Sequence, residues 1–253
     1  MHSPEGFGHR ARGDPRVAVA FCGAILLKTN VYVDGFNLYY GLLKSSPHRW
    51  LDLQRFCETL LVKNEINRIL YFTAKLDARP HNPDQPTRQL AYLRALATLP
   101  KVEIYFGNFL TSVVRQPLVQ VDPTTGGWLK DRDGRPVLKT DRCGQVLTAF
   151  VLKTEEKGSD VNLAAHLLKD AHTNDCECAV IASNDSDLLT PIRLAKQECG
   201  LKIGLIPPRK KGSHELKRLA DFVVDPRRHY LETAQFPQSF ADQHGIITKP
   251  LEW

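Results

Sequence analysis

The sequence predicts an α/β protein with a mostly parallel central sheet and helices on both of its faces. Three observations lead to this prediction. From Asn30 onward, short apolar runs of strand length alternate with segments whose apolar residues recur at helical spacing. The links between these segments are short, which is typical of successive strand–helix–strand units. The chain has 253 residues, 42% of them hydrophobic and 25% charged, which is enough for one sizeable core.

The strands are predicted from apolar runs that end at turn-forming or polar residues. The first run leads into Gly35, and the run 178–183 is apolar at nearly every position, as expected for a strand buried on both faces. Pro207 and Pro208 end the run 201–206. In chain order, the predicted strands span residues 31–34, 68–73, 102–109, 178–183, 201–206 and 222–224, with a further candidate at 146–153.

The helices are predicted from apolar stripes and from residues that start or end helices. Leu53, Phe56 and Leu60 form one such stripe, Ser159 is a candidate N-cap, and Gly200 stands where a helix would end. In chain order, the predicted helices span residues 51–62, 83–99, 159–172, 185–198 and 213–219.

Three regions fall outside this alternation. Residues 110–150 are rich in Pro and Gly between short β-like runs, which predicts an inserted β-hairpin or extended loop rather than a second domain. Residues 1–16 lack periodicity and residues 17–27 form an apolar run interrupted by Gly23. We predict that residues 1–27 are a disordered extension and that residues 232–253 are an irregular tail. We recognise no internal repeat, so the sequence predicts one domain over residues 28–231.

Composition excludes several classes of protein and leaves one feature open. The chain has six cysteines without a C-x-x-C pair, which argues against a disulfide scaffold and a zinc finger and favours reduced thiols in the cytoplasm. We expect no membrane partner. The net charge is +6, and residues 201–230 carry eight Lys or Arg against three Asp or Glu. Such a segment is typical of an edge that binds a polyanion, but equally of a solvated basic face.

Carboxylates stand at three predicted strand-to-helix junctions. Asp34 ends the first strand, Asp160 opens a helix, and Asp185 and Asp187 follow the strand 178–183. In parallel sheets, ligands bind at the carboxyl ends of the strands, and oxygen ligands suit Mg²⁺ or Mn²⁺. Each aspartate taken alone also fits a turn or a helix cap. Their combination at one sheet edge favours a metal site.

The same segments carry a family resemblance. Residues 31–41 (VYVDGFNLYYG), 157–164 (KGSDVNLA) and 182–189 (ASNDSDLL) resemble the three motifs of NYN-domain proteins of the PIN-like nuclease superfamily, of the bacterial LabA-like type. The resemblance extends over about residues 28–230. It implies a PIN-like Rossmannoid three-layer fold and metal-dependent RNA cleavage. The family often has Gly where this sequence has Asn184.

The resemblance also implies roles for individual residues. Asp34, Asp160, Asp185 and Asp187 match the acidic positions that bind one or two Mg²⁺ or Mn²⁺ ions. Asn37 would orient Asp34, and Ser183 would stand beside the metal site. The implied reaction is hydrolysis of a phosphodiester bond by metal-activated water, which leaves 5′-phosphate and 3′-hydroxyl ends.

Basic and aromatic residues are candidates for contact with RNA. The basic residues occur near the motifs or in the loop after strand 201–206: Lys157, Arg193, Arg209, Lys210 and Lys211. Phe36, Tyr39 and Tyr40 are candidates to stack on bases, although core packing is the favoured interpretation for Phe36 and Tyr40. A homodimer is a further expectation.

Two other functions compete with a ribonuclease. One is a non-catalytic RNA-binding module with a degenerate PIN-like site, which the presence of all four aspartates disfavours. The other is a metal-dependent phosphatase on a similar sheet. The haloacid-dehalogenase-like type of phosphatase requires a D-x-D pair at the first strand, and here Phe36 stands two residues after Asp34.

Overall fold

The computed structural model describes residues 26–78, 82–209, 212–251 and 253. Most of the strands form a seven-stranded sheet in the order β4-β3-β2-β1-β5-β6-β7. Its strands are β1 Leu27–Asp34, β2 Asn64–Ala74, β3 Val102–Pro117, β4 Thr148–Lys157, β5 Cys178–Ala182, β6 Lys202–Leu205 and β7 Phe222–Val223. The helices are α1 Gly35–Leu38, α2 Leu53–Leu60, α3 Gln85–Leu96, α4 Ser159–His172, α5 Leu189–Cys199, α6 His214–Leu219 and α7 Arg228–Thr233.

The sheet is parallel except at one edge. β1 pairs in parallel with β2 on one side and with β5 on the other, and only β4 runs antiparallel, against β3. The chain first builds outward from β1 through β2 and β3, then returns to the other side of β1 with β5 and β6. The carboxyl ends of β1 and β5 therefore meet at the point where the strand order reverses, which is where such sheets bind ligands.

Alternating side chains of β1 enter two separate apolar layers. Val31 and Val33 pack in the layer that contains Trp50 and Phe56, whereas Tyr32 packs in the layer that contains Leu163. Successive side chains of a strand point to opposite faces, so an apolar strand needs a cover on each side. The predicted fold class, with helices on both faces, is confirmed.

The insert forms a projecting arm that begins as the predicted hairpin. β3 and β4 pair from Asn108 with Lys157 out to Pro117 with Thr148. Beyond them the chain contains a short repeat that the sequence analysis missed. Asp131 and Asp141, ten residues apart, each accept hydrogen bonds of 2.8 to 2.9 Å at Oδ1 from two following backbone N–H groups. Gly134 and Gly144 then adopt φ of 78° and 83°, which favours glycine.

The prediction of an irregular tail at 232–253 is wrong. The chain continues from α7 into an antiparallel hairpin of β8 Ser239–Asp242 and β9 Gly245–Thr248. Phe236 and Ile247 are buried, and Trp50 donates a hydrogen bond from Nε1 to the Pro237 carbonyl oxygen (2.8 Å). Segments this short have no periodic pattern to recognise, and they are ordered by packing against distant residues.

Several boundaries also differ from the predictions. Residues 1–25 of the predicted extension lie outside the described residues, but Leu27 of that range opens β1. Gly158, with φ of 99°, caps α4, and Ser159 is its first residue rather than its cap. The predicted helix 185–198 starts as a 3₁₀ turn, Ser186–Leu188. No helix of the described chain combines the length and apolar character that crossing a membrane requires.

Candidate functional site

Asp34 lies at the carboxyl end of β1 and is held by three hydrogen bonds. Its Oδ1 accepts from the backbone N–H of Asn37 (2.9 Å), which caps α1. Its Oδ2 accepts from the Asn37 side-chain amide (2.5 Å) and from the Ser183 hydroxyl (3.0 Å). The structure therefore brings together Asp34, Asn37 and Ser183, which come from two neighbouring strands. Asp34 is only 4% exposed, so these bonds set the orientation of its carboxylate.

The loop after β5 continues this chain of hydrogen bonds. The Ser183 hydroxyl accepts from the backbone N–H of Asp185 (3.0 Å), and Asp185 Oδ1 accepts from the backbone N–H of Asp187 (2.9 Å). Asp185 thereby caps the 3₁₀ turn that precedes α5. The turn places two carboxylates within two residues of each other beside Asp34.

The pKa of Asp160 is affected by the carboxylates of Asp34, Asp185 and Asp187. Burial, followed by the charges of Asp34, Asp185, Glu156 and Asp187, raises the pKa of Asp160 to about 6. Burial also raises the pKa of Asp34, with a contribution from the Asp185 charge and against the hydrogen bonds from Asn37 and Ser183. These carboxylates therefore lie near enough to Asp160 to affect its pKa. We call Asp34, Asp160, Asp185 and Asp187 the aspartate cluster.

The aspartate cluster has the right chemistry for a hard cation. All of its donors are carboxylate oxygens, and the neighbouring Asn184 side chain has a buried amide without a hydrogen-bond partner in the described chain. In the described ranges, no three Asp, Glu, His or Cys side chains are arranged as metal ligands around one point. The cluster therefore fits Mg²⁺ or Mn²⁺ by donor type, and the side chains would have to converge further to coordinate an ion.

Glu156 is a member of the site that the sequence analysis missed. Its Oε1 accepts hydrogen bonds from the backbone N–H (3.0 Å) and the hydroxyl (2.6 Å) of Ser159, at the start of α4. A Cβ on Gly107 would lie 2.5 Å from this oxygen and 2.6 Å from the Lys157 carbonyl oxygen, and the backbone contact makes glycine necessary here. Glu156 belongs to the run Glu155-Glu156-Lys157, which has no pattern that distinguishes it from a solvated strand end.

The predicted basic residues of the described chain are exposed and lie on three separate segments. Lys157 is exposed and lies 3.5 Å from Glu155, and Arg193 is exposed on α5. Arg209 is exposed in the loop after β6, and a Cβ on Gly41 would lie 3.0 Å from Arg209 Cγ. This contact joins that loop to the segment that follows Asp34. Lys210 and Lys211 lie outside the described residues.

The aromatic residues after Asp34 lie on the surface or line a depression. Tyr40 is 45% exposed, with the Lys44 ammonium 4.9 Å from its ring centroid, so the prediction that it packs in the core is wrong. The reason is a π-helical turn, Tyr39–Leu43, which sends Leu43 inward and Tyr40 outward. Phe36 is half-buried, and its ring lies 5.9 Å from that of Phe109.

A pocket opens beside the carboxyl end of β1, and six of its lining residues are aromatic. We call it the aromatic pocket, and its walls include Phe36, Tyr39, Tyr71, Thr73, Tyr92 and Trp253. Arg49, Asn82 and Arg88 also border it. Gly35, which follows Asp34, forms part of the wall. None of the residues from β2 or beyond was singled out from sequence, because they are far from the motifs along the chain.

Comparisons with known proteins identify the family of the chain. The family model of the NYN domain matches residues 129–230, which contain three of the four aspartates. The chain is 30% identical over 251 residues to 6-hydroxy-3-succinoylpyridine 3-monooxygenase HspA of Pseudomonas putida, covering 90% of this chain and 75% of that protein. A crystal structure of a protein of unknown function from Vibrio parahaemolyticus is similar with a TM-score of 0.47 and 16% identity, over 80% of this chain and 94% of that one. The chain belongs to the NYN-domain family, and the NYN domain is a nuclease-type domain.

Proposed function

We propose that the protein is a metal-dependent ribonuclease, an endonuclease that hydrolyses RNA phosphodiester bonds at the aspartate cluster. The observation that carries the proposal is the placement of Asp34 and Asp185 at the adjoining carboxyl ends of β1 and β5, where the Ser183 hydroxyl donates to the Asp34 carboxylate and accepts from the Asp185 backbone N–H (3.0 Å each). Burial and neighbouring carboxylates also raise the pKa of Asp160 to about 6. Like charges gathered at one sheet edge are typical of a site that binds a cation. The match to a nuclease-type domain supports the same chemistry.

The residues in and around the cluster would have two different roles, metal binding and orientation of Asp34. Asp34, Asp160, Asp185 and Asp187 would hold one or two Mg²⁺ or Mn²⁺ ions. When bound, such an ion supplies Lewis acidity and a water of lowered pKa. Asn37 and Ser183 keep the Asp34 carboxylate oriented through hydrogen bonds of 2.5 and 3.0 Å, so that it need not reorganise during the reaction.

The basic residues around the cluster would bind phosphates of the substrate. Arg209 is the best placed of the described candidates, because its loop packs on Gly41, just after α1. Lys157 and Arg193 are exposed and available to a flexible strand of RNA. Lys210 and Lys211 follow Arg209 in the chain and belong to the same proposal. The expected products carry 5′-phosphate and 3′-hydroxyl ends.

Cleavage of a labelled single-stranded RNA tests the proposal. The full chain should cleave it with Mg²⁺ or Mn²⁺, and EDTA should abolish the cleavage. Asp34→Asn and Asp185→Asn should each lower the rate about a hundredfold or more, because removing even an outer partner of a metal ligand costs 10–100-fold. Asp225→Asn is the matched control, since this aspartate is exposed beyond β7. Full activity of either cluster variant would contradict the proposal.

A second candidate function comes from the relative that is named as a 6-hydroxy-3-succinoylpyridine 3-monooxygenase. The aromatic pocket favours this candidate, because rings such as Tyr92 and Trp253 beside two arginines suit a small aromatic acid. Incubation of the protein with 6-hydroxy-3-succinoylpyridine, O₂ and a reductant tests it. Turnover of this compound without cleavage of any RNA would establish the second candidate in place of the first.

A further inference from the structure

The aromatic pocket is connected to the aspartate cluster through Gly35, which lines the pocket. Gly35 directly follows Asp34, and a Cβ on Gly35 would lie 2.7 Å from the Tyr71 hydroxyl and 2.8 Å from the Phe72 carbonyl oxygen. Only glycine permits this approach of α1 to the end of β2. Gly35 lines the pocket and directly follows Asp34 in the chain, so the pocket lies beside the carboxyl end of β1.

The walls of the pocket suit a flat ring. The rings of Tyr71 and Tyr92 meet edge to face with centroids 6.5 Å apart, and the ring of Trp253 lies 5.4 Å from that of Tyr92. These rings are held in place from behind, because the Tyr92 hydroxyl donates to the Leu51 carbonyl oxygen (3.0 Å). Preformed aromatic walls favour a planar ligand, because the π face of such a ligand, for example a nucleobase, can stack on an aromatic ring.

Two hydroxyl groups of the wall have no hydrogen-bond partner in the described chain. Tyr71 is 6% exposed and Thr73 is 2% exposed, and both line the pocket. Neither hydroxyl oxygen is itself sealed from solvent, and a hydroxyl both donates and accepts hydrogen bonds. In contrast, the amide of Gln89 is already occupied, since it binds the Ala74 carbonyl oxygen and the Leu76 N–H (each 2.9 Å). The two hydroxyls therefore offer a place for the polar edge of a ring.

Positive charge borders the pocket. Arg49 is tied to the Lys44 carbonyl oxygen through Nε (3.1 Å), and Arg88 binds the Asn82 side chain. Both arginines line the pocket. A ligand that combines a planar ring with an anionic group fits this arrangement, and a nucleotide combines the two.

We propose that the aromatic pocket binds one nucleobase of the RNA substrate, turned out from its neighbours, while the adjoining phosphate lies at the aspartate cluster. This inference rests on the proposed ribonuclease function and adds the subsite that would position the substrate. Turning out a base costs a few kcal/mol in a stacked strand, and less in a single-stranded or mismatched one. The pocket therefore directs cleavage to unpaired nucleotides.

Binding of mononucleotides in EDTA tests the subsite independently of cleavage. AMP, GMP, CMP and UMP are titrated while tryptophan fluorescence is followed, since Trp253 lines the pocket. At least one nucleotide should bind more than tenfold tighter than ribose 5-phosphate, which carries the phosphate but no base. The variant Tyr71→Phe/Thr73→Val keeps the shape of the walls and should weaken that binding about tenfold. Tyr105→Phe, in the other apolar layer, is the control.

The outcomes test the nucleobase subsite separately from the proposed ribonuclease activity. Ribose 5-phosphate binding as tightly as every nucleotide, or unchanged binding to the double variant, would overturn the inference. Tighter binding of 6-hydroxy-3-succinoylpyridine than of every nucleotide would also overturn it, by assigning the pocket to a small aromatic acid. Base-dependent binding without any cleavage of RNA would uphold the subsite and overturn only the proposed ribonuclease. With active enzyme, one abasic position in the RNA should raise KM more than it lowers kcat.

Discussion

At the residue scale, Asp34 is positioned by both local and distant parts of the chain. The contacts from Asn37 are local, because α1 starts directly after the strand. The contact from Ser183 requires that β5 lie next to β1. The roles expected for Asn37 and Ser183 from the family resemblance agree with these contacts and remain predictions. Glu156 was not predictable, because its role depends on the approach of β4 to Gly107.

The hydrogen bond from Ser183 should matter for activity. Ser183→Ala removes a bond to a charged group, which is worth about 1.5–3 kcal/mol, so we expect RNA cleavage to slow roughly ten- to hundredfold. The measurement is kcat at saturating Mn²⁺. Ser186→Ala, at an exposed position three residues later, is the matched control. Equal rates for the two variants would show that Ser183 does not position Asp34.

The raised pKa of Asp160 predicts how stability depends on pH. A carboxyl group whose pKa is about 6 in the folded chain favours folding when protonated, and this contribution is lost as the pH rises through 6. Asp160→Asn cannot ionise, so in EDTA it should be more stable than the wild type above pH 6 and nearly equal to it near pH 4. Urea unfolding across this range measures the difference. A difference that does not change with pH would contradict the prediction.

At the scale of elements, a buried ionic network joins α4 to the sheet at the end opposite the aspartate cluster. Asp170 Oδ2 accepts from the Tyr32 hydroxyl (2.7 Å), the Asn30 amide (3.2 Å) and the Arg68 guanidinium (2.8 Å). Arg68 also binds Asp175 and Glu103. The sequence analysis did not find this network, because its members come from β1, β2, β3 and α4 and share no motif.

Breaking this network should destabilise the fold. Asp170→Asn leaves Arg68 without its most buried partner, and breaking a buried pair costs about 3 kcal/mol or more. Urea unfolding at neutral pH measures the loss. Glu103→Gln, whose side chain is 40% exposed, is the matched control and should cost less than about 1 kcal/mol. If Glu103→Gln destabilised the fold more than Asp170→Asn, the Arg68–Glu103 pair would contribute more to stability than the Arg68–Asp170 pair.

The outer part of the arm should be dispensable for folding. The backbone hydrogen bonds that the structure describes for residues 118–147 join residues of that segment to one another, and the side chains of the segment are mostly exposed. Replacing residues 118–147 with Asn-Gly joins β3 to β4 by a two-residue turn suited to a hairpin. We expect the free energy of unfolding to change by less than about 1 kcal/mol, because surface loops tolerate such changes. A large fall in the free energy of unfolding, measured by urea unfolding, would contradict this prediction.

At the scale of the whole molecule, the net charge of +6 combines a basic loop with an acidic cluster at the same edge of the sheet. Asp34 and Ser183 lie at the reversal of strand order, and the loop with Arg209 packs beside them at Gly41. Under the proposed function, this arrangement would place a basic border for phosphates around a site that binds a cation. The expected homodimer remains a prediction, to be tested by sedimentation.

This arrangement predicts that RNA binding weakens as salt rises. Each phosphate contact to a single strand contributes a slope of about −0.7 to the plot of log affinity against log salt concentration. Arg209→Ala should therefore make the slope shallower by about 0.7, measured by filter binding to RNA in EDTA. Arg115→Ala on the arm is the control and should leave the slope unchanged. An identical slope for the Arg209 variant would exclude it from phosphate contact.

The sequence by itself determined the order and type of the central strands and helices and the three segments that carry the aspartates. These features depend on short stretches of sequence, through apolar periodicity and through residues that end strands and cap helices. Only the tertiary structure decided the C-terminal hairpin, the network at Arg68, the position of Glu156 and the aromatic pocket. Each of these joins short segments that are far apart in the chain, and only packing brings their side chains together.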